Sequence, residues 1–201
     1  MNSANIAAHF TDEHGEILIR LARLTIAAKL AIPDADGALR NLIATHLSAP
    51  VFQEKRGTFV TLKIKEQLRG CMGCLTPSET VLEGIQRNAI NAAFNDPRFP
   101  ALTGHELEQA AIEISILTSP QDLQYADASD LLNKIRPDID GVTISKGRAR
   151  ATFLPQVWKQ LPKPDDFLTH LCRKAGLHSD EWKLGELDVS VYQVQYFNEN
   201  G

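Results

Sequence analysis

The apolar positions of the chain recur with two periods, one helical and one extended, and these divide it into elements. ILIRLARLTIAAKLAI, residues 17–32, is long and apolar, with Leu21, Leu24 and Leu30 close to helical spacing, and predicts a helix. Asp34 to Ser48 reads as a second, shorter helix. GTFVTLKI, residues 57–64, is rich in β-branched and aromatic residues and predicts a strand. Lys65 to Gln67 turns it into a second strand at Leu68 to Met72. In TPSETVLEGIQRNAINAAF, Thr76 suits an N-cap, Pro77 the first helical position and Glu79 a capping box, so a helix is expected to run to about Phe94. NDPRFPAL follows as a proline-bounded loop. Thr103 and Glu106 then mark the start of a short helix.

AIEISILT, residues 111–118, alternates: Ile112, Ile114 and Ile116 on one face, Glu113 and Ser115 on the other, as in a half-buried strand. DGVTISKGRARATFLP, residues 140–155, predicts a hairpin turning at Lys146-Gly147. Asp165 to Lys174 reads as a helix that Gly176 ends. LDVSVYQVQYF, residues 187–197, predicts a last strand. Its apolar set moves from odd positions (Leu187, Val189, Val191) to even ones (Tyr192, Val194, Tyr196), which a bulge near Val191 explains. Hairpins outnumber β-helix-β alternations. The expected class is therefore α+β, a mainly antiparallel sheet with flanking helices, in one domain without a flexible linker.

Composition changes this picture little. The chain is 43% hydrophobic and 23% charged, as a folded domain is, and its net charge of -4 argues against nucleic acid as the main partner. No apolar run approaches the ~18 to 20 residues of a membrane span. MNSANIAAHFTDEHGE has no basic start followed by an apolar block, so no secretion signal is expected. Three cysteines are too few for a disulfide scaffold, and a reducing cytoplasm is the expected location.

Candidate chemistry concentrates in LRGCMGCL, residues 68–75. A zinc site needs four ligands. Cys71 and Cys74 supply two, but His170 and Cys172 lie two apart on a helix and point to different sides. Cys172 lines up with Leu168, Leu171 and Ala175, an apolar face. A redox pair would place its attacking cysteine at a helix cap in a β-α-β setting, which is absent. A single working thiol needs only Cys71. In an extended segment Arg69 shares its face and would favour thiolate, while Gly70 and Gly73 admit a ligand or another strand close to the backbone. The competing reading is that both glycines serve a tight strand exit and Cys71 packs in a core.

The blocks GTFVTL, LRGCMG, NAINAAFNDPRFPAL, IEISILT, DGVTI, ATFLPQV and FLTHLCRKAGL, in this order, resemble the AMMECR family, whose prokaryotic members are called AmmeMemoRadiSam system protein A. The resemblance covers about residues 12–198, leaving 1–11 and 199–201 as expected flexible termini. It implies two subdomains meeting at a cleft that holds LRGCMG, with the Asp96-Pro97-Arg98-Phe99 loop and the Glu113 strand as neighbours. It also implies partnership with a Memo-like protein and a radical S-adenosylmethionine protein. It supplies no known reaction and no cofactor. The position after the second glycine is usually serine or threonine in such proteins. Cys74 stands there, which makes the CxxC pattern incidental and leaves Cys71 as the thiol of the motif.

The resulting candidate is a ligand site with Cys71 as nucleophile or covalent carrier and Glu113 as base. Arg69, Gly70, Gly73, Asp96 and Arg98 would bind a small anionic ligand, and no metal is expected. His105 is read as an exposed helix-start residue. Asp138 and Asp140 shape a turn better than they fit a calcium loop. The alternative is a non-catalytic scaffold or regulatory module. In it the strip Lys146, Arg148 and Arg150 makes a protein contact or, less readily, an RNA contact.

Overall fold

The computed structural model describes residues 10–33, 37, 44, 45 and 49–199. The helix expected from Asp34 to Ser48 lies outside the described residues except at 37, 44 and 45. The chain forms two compact units, residues 1–117 with 195–201, and residues 118–194. Among the described residues there are eight strands: β1 (Thr58–Ile64), β2 (Gln67–Cys74), β3 (Ala111–Leu117), β4 (Gln121–Asp122), β5 (Gly141–Lys146), β6 (Ala149–Phe153), β7 (Asp188–Tyr192) and β8 (Val194–Asn198). They make two four-stranded sheets, ordered β2-β1-β3-β8 and β4-β7-β5-β6. The α+β class with antiparallel pairing is as the sequence predicts.

In the first unit, Val60, Leu62, Ile112 and Ile114 face inward and are fully buried against the helices Asp12–Lys29 and Val81–Ile90. The first helix starts five residues before the predicted apolar stretch. Thr11 caps it, accepting from the His14 amide at 3.2 Å, and Asp12 and Glu13 in its first turn complement the helix dipole. Residues 10 and 199, assigned above to flexible termini, are held by the fold: Phe10 is in the core, and Glu199 pairs with Arg23.

The Val81–Ile90 helix begins later than predicted. Its cap is Thr80, paired with Glu83, and not Thr76 with Glu79. Both fit the same sequence pattern. The tertiary contacts decide between them: Lys55 and Thr80 form an antiparallel bridge, and the Val81 amide donates to Glu54 O at 2.8 Å, so the helix does not begin before Thr80. The helix widens into a π turn at Asn91–Asn95. Thr103 and Glu106 do form the capping box of a short helix, Gly104–Gln109.

The β1–β2 turn carries a local conflict. Lys65 and Glu66 have φ of 51° and 62°, a left-handed pair that suits Asn-Gly and costs other residues roughly 1–2 kcal/mol each. Replacing both, Lys65→Asn with Glu66→Gly, is expected to raise stability by about 1 kcal/mol once the added freedom of glycine in the unfolded chain is subtracted. A urea titration checks this through a higher midpoint at unchanged slope.

The second unit folds on Trp158, stacked on Phe167 with ring centroids 3.7 Å apart. Cys172 is fully buried in this core, and burial pushes its thiol up, as fits a packing residue. The buried Asp140 carboxylate is taken by Arg136 through its backbone and guanidinium nitrogens, and Asp138 sits at φ 63°. Both aspartates therefore shape the turn. The β5–β6 hairpin is present as predicted, with its turn at Gly147 (φ 60°) and Arg148, one residue later than Lys146-Gly147, because Lys146 stays paired with Ala149.

The last predicted strand is two. β7 pairs with β5 in one sheet, the ladder breaks at Gln193, and β8 belongs to the other sheet. The shift of apolar parity near Val191 is a change of sheet and not a bulge. Among the described residues no helix is long and apolar enough to cross a membrane.

Candidate functional site

LRGCMGC lies within β2, an edge strand, and its geometry starts from a bulge. Leu62 pairs with Gly70 and Lys63 with Leu68, which leaves Arg69 as the extra residue. The bulge places Arg69 on the side of Gly70, away from Cys71. Arg69 is 8% exposed, and its Nε and Nη2 hold both oxygens of Glu106 at 2.8 and 3.1 Å, with Pro100 O at 3.0 Å from Nη2. This guanidinium draws the Glu106 carboxyl down to about 2. Arg69 is thus spent on a half-buried ion pair and does not reach the thiol, contrary to the shared face expected for an unbroken strand.

Gly70 is required by a close approach. A Cβ there would lie 2.1 Å from the Ala92 carbonyl oxygen, which the π turn brings down on the strand. At Gly73 a Cβ would strike the Phe59 ring at 2.2 Å, so that ring occupies the space beside the strand. Neither glycine opens a hole for a ligand; both are filled by the protein.

Asp96 and Arg98 occupy the free edge of β2. Asp96 is 4% exposed, and its Oδ2 accepts the Cys71 amide at 2.9 Å. Arg98 binds the same carboxylate through Nε at 2.9 Å and Nη2 at 2.7 Å, and its Nη2 lies 3.4 Å from Cys71 O. The Arg98 guanidinium holds the Asp96 carboxyl far below the usual carboxylate range. The pair mimics a neighbouring strand, satisfying both backbone groups of Cys71, and so fixes that residue.

The Cys71 side chain projects from the sheet face opposite the helices. Register places it in one row with Thr61 and Glu113, Cys71 opposite Thr61 and Thr61 opposite Glu113. Thr61 Oγ1 donates to Cys71 Sγ at 3.2 Å. Lys63, two residues along the same face, pairs with Glu113 at 2.7 Å. The Glu113 carboxylate holds the Lys63 ammonium above its usual range, and the Asp96 carboxylate does the same for the Arg98 guanidinium, so both stay charged near Cys71. Glu113 lies two strands from Cys71, ~9–10 Å by strand spacing, beyond hydrogen-bond reach of the sulfur. A cavity of about 260 Å³ opens beside Lys63 and Glu113, bounded also by Glu66, Asn198 and Glu199. His105 stands exposed on its helix beside Gln109.

Cys71 and Cys74 do not act as a pair. Cys74 sits opposite Thr58 on the core face, and three residues of strand separate the two by ~10 Å between Cα atoms, against at most about 7 Å for a disulfide. Opposite faces likewise prevent both from binding one ion. Among the described residues no group of three or more His, Cys, Asp or Glu side chains is placed to hold a metal.

Thr61, Lys63 and Glu106 were missed as site residues by sequence reasoning. Alternation in TFVTLKI places Thr61 and Lys63 on the polar face, and that signal was available. Glu106 was legible only as a cap.

The AMMECR1 family model matches residues 19–197. The chain belongs to the AMMECR1 family. A protein of Methanothermobacter thermautotrophicus is 35% identical to this AMMECR1 chain, over 96% of it and 98% of its own length. One of Methanosarcina acetivorans is 38% identical, over 94% and 93%. The crystal structure of uncharacterized protein PH0010 from Pyrococcus horikoshii is similar in fold, with a TM-score of 0.78 at 32% identity over 94% of this chain and 93% of that one. These likenesses establish the AMMECR1 family and fold for the chain and bring no reaction with them.

Proposed function

We propose that this AMMECR1 protein is a cysteine-dependent enzyme, or an enzyme subunit, whose Cys71 attacks a small electrophile bearing an anionic group. The observation that carries the reading is the hydrogen bond from Thr61 to the Cys71 sulfur. It sits on a partly exposed face beside Lys63, with the Cys71 backbone immobilised by Asp96. A hydroxyl donating to sulfur stabilises thiolate, and fixed cations add to it. Thiol activation then falls to Thr61, Lys63 and Arg98, and Arg69 holds the fold. Glu113 is a positioning residue that aims Lys63. In the reaction the thiol proton goes to water, the sulfur bonds to the electrophilic carbon and the leaving group departs with its electron pair. The reading includes a Memo-like protein and a radical S-adenosylmethionine protein as partners and a cytoplasmic setting, on the strength of the family resemblance and the sparse cysteines.

Alkylation by iodoacetate and by neutral iodoacetamide tests the anionic preference. Cys71 is expected to favour iodoacetate several-fold more than a free thiol does, and Lys63→Gln to abolish that preference. Equal preference in the wild type and Lys63→Gln would contradict an anion subsite. Thr61→Val is expected to slow both alkylations by roughly tenfold to a hundredfold, the value of one hydrogen bond to a charged group in the attacking state. Rates measured by intact mass check it, with the fold confirmed by circular dichroism.

A further inference from the structure

The basic hairpin at Lys146–Arg150 has no part in the Cys71 site, and it lies on an unused edge. β6 ends its sheet, so among the described residues no strand pairs with its outer side. Lys146 and Ala149 close the two-residue turn, which commits the backbone groups of Ala149, Ala151 and Phe153 to β5. Those of Arg150 and Thr152 face outward. Lys174 marks this direction, donating to Thr152 O at 3.0 Å. Lys146 is neutralised by Glu181 and Glu186. Arg148 and Arg150 are exposed, and among the described residues neither guanidinium has a partner.

We propose that the outer edge of β6 docks an extended acidic segment of another protein, which adds to the sheet as a strand. Three open backbone groups, the N–H and C=O of Arg150 and the N–H of Thr152, supply the ladder. Charge selects the occupant. Arg148 in the turn, Arg150 on the strand and Lys174 at its far end line about five residues of edge with positive charge. A second copy would bring the same arginines opposite these and be repelled, so the charges that prevent self-pairing admit an acidic strand. Aromatic side chains for stacking nucleotide bases are not interleaved with this strip, which places a peptide ahead of RNA.

The test uses the full chain and an alternating Glu-Val heptapeptide, read by backbone amide shifts and hydrogen exchange. Binding is expected to protect the Arg150 and Thr152 amides, and to weaken at least tenfold in the double variant Arg148→Glu, Arg150→Glu. The same peptide N-methylated at every second residue is expected not to bind. Unchanged protection of the Val142 and Ile144 amides, in the strand paired with β6, confirms that the second unit of the double variant is folded. The proposal is overturned if the N-methylated peptide or a Lys-Val peptide binds equally well. It is also overturned if a single-stranded RNA protects these amides where the acidic peptide does not, or if the edge pairs with a second copy.

Discussion

Glu106→Gln is expected to destabilise the protein by about 1–3 kcal/mol, less than a fully buried pair would cost because the Glu106 side chain is about a third exposed and water screens it. Arg69 is the charge stranded. Its guanidinium is almost enclosed, and Glu106 takes two of its nitrogens. Glutamine keeps the capping interaction with Thr103, so the loss isolates the ion pair from the cap. Replacing both partners, Arg69→Met with Glu106→Gln, is expected to recover much of the loss, because a neutral pair no longer leaves a buried cation uncompensated. The pair also sets an acid limit. The Glu106 carboxyl is depressed from 4.5 to about 2 in the folded chain. Its contribution is therefore complete above about pH 4.5 and is lost as pH falls through about 2. Denaturant titrations between pH 5 and pH 2 should show wild-type stability falling toward that of Glu106→Gln. Parallel curves at all pH values would contradict this assignment.

Gly70→Ala is expected to cost about 3 kcal/mol, the upper part of the range for overpacking. The added Cβ meets a backbone oxygen, Ala92 O, so no rotamer change relieves it. The π turn must lift, and it leads directly into Asp96. The variant should therefore also loosen the Cys71 amide, seen as faster hydrogen exchange there while the exchange of Trp158 and Phe167 in the second unit is unchanged. An equally stable variant with a protected Cys71 amide would mean that Ala92 does not pin this strand.

Much of the fold was legible because periodicity and caps act locally. The alternation in AIEISILT, the Thr103–Glu106 box and Gly147 each determine their element within a few residues. Local signals failed where distant contacts chose between equivalent options. Thr76 and Thr80 offer the same capping pattern, and the bridge from Lys55 selects Thr80. A parity shift reads alike for a bulge and a change of sheet, and only pairing partners separate the two at Gln193. The candidate site shows the same division. Asp96 and Arg98 meet Cys71 at the edge of β2, and Glu113 lies two strands away on the same face. The role of Arg69 did not follow, because one inserted residue in β2 reverses its face and no sequence pattern announces that bulge. Thr61 and Lys63 bear on Cys71 from the next strand, a cross-strand relation that requires the register.

The central claim is that Cys71 is an activated thiol, and the pH dependence of its alkylation tests this most directly. Rates are measured on the native protein and on Cys71→Ser, Cys74→Ser and Cys172→Ser. The account predicts one fast site, lost only in Cys71→Ser, with an apparent pKa well below the ~8.5 of a free cysteine. Slow reaction at all three cysteines would contradict it, and would leave Cys71 as a packing residue in an interaction module.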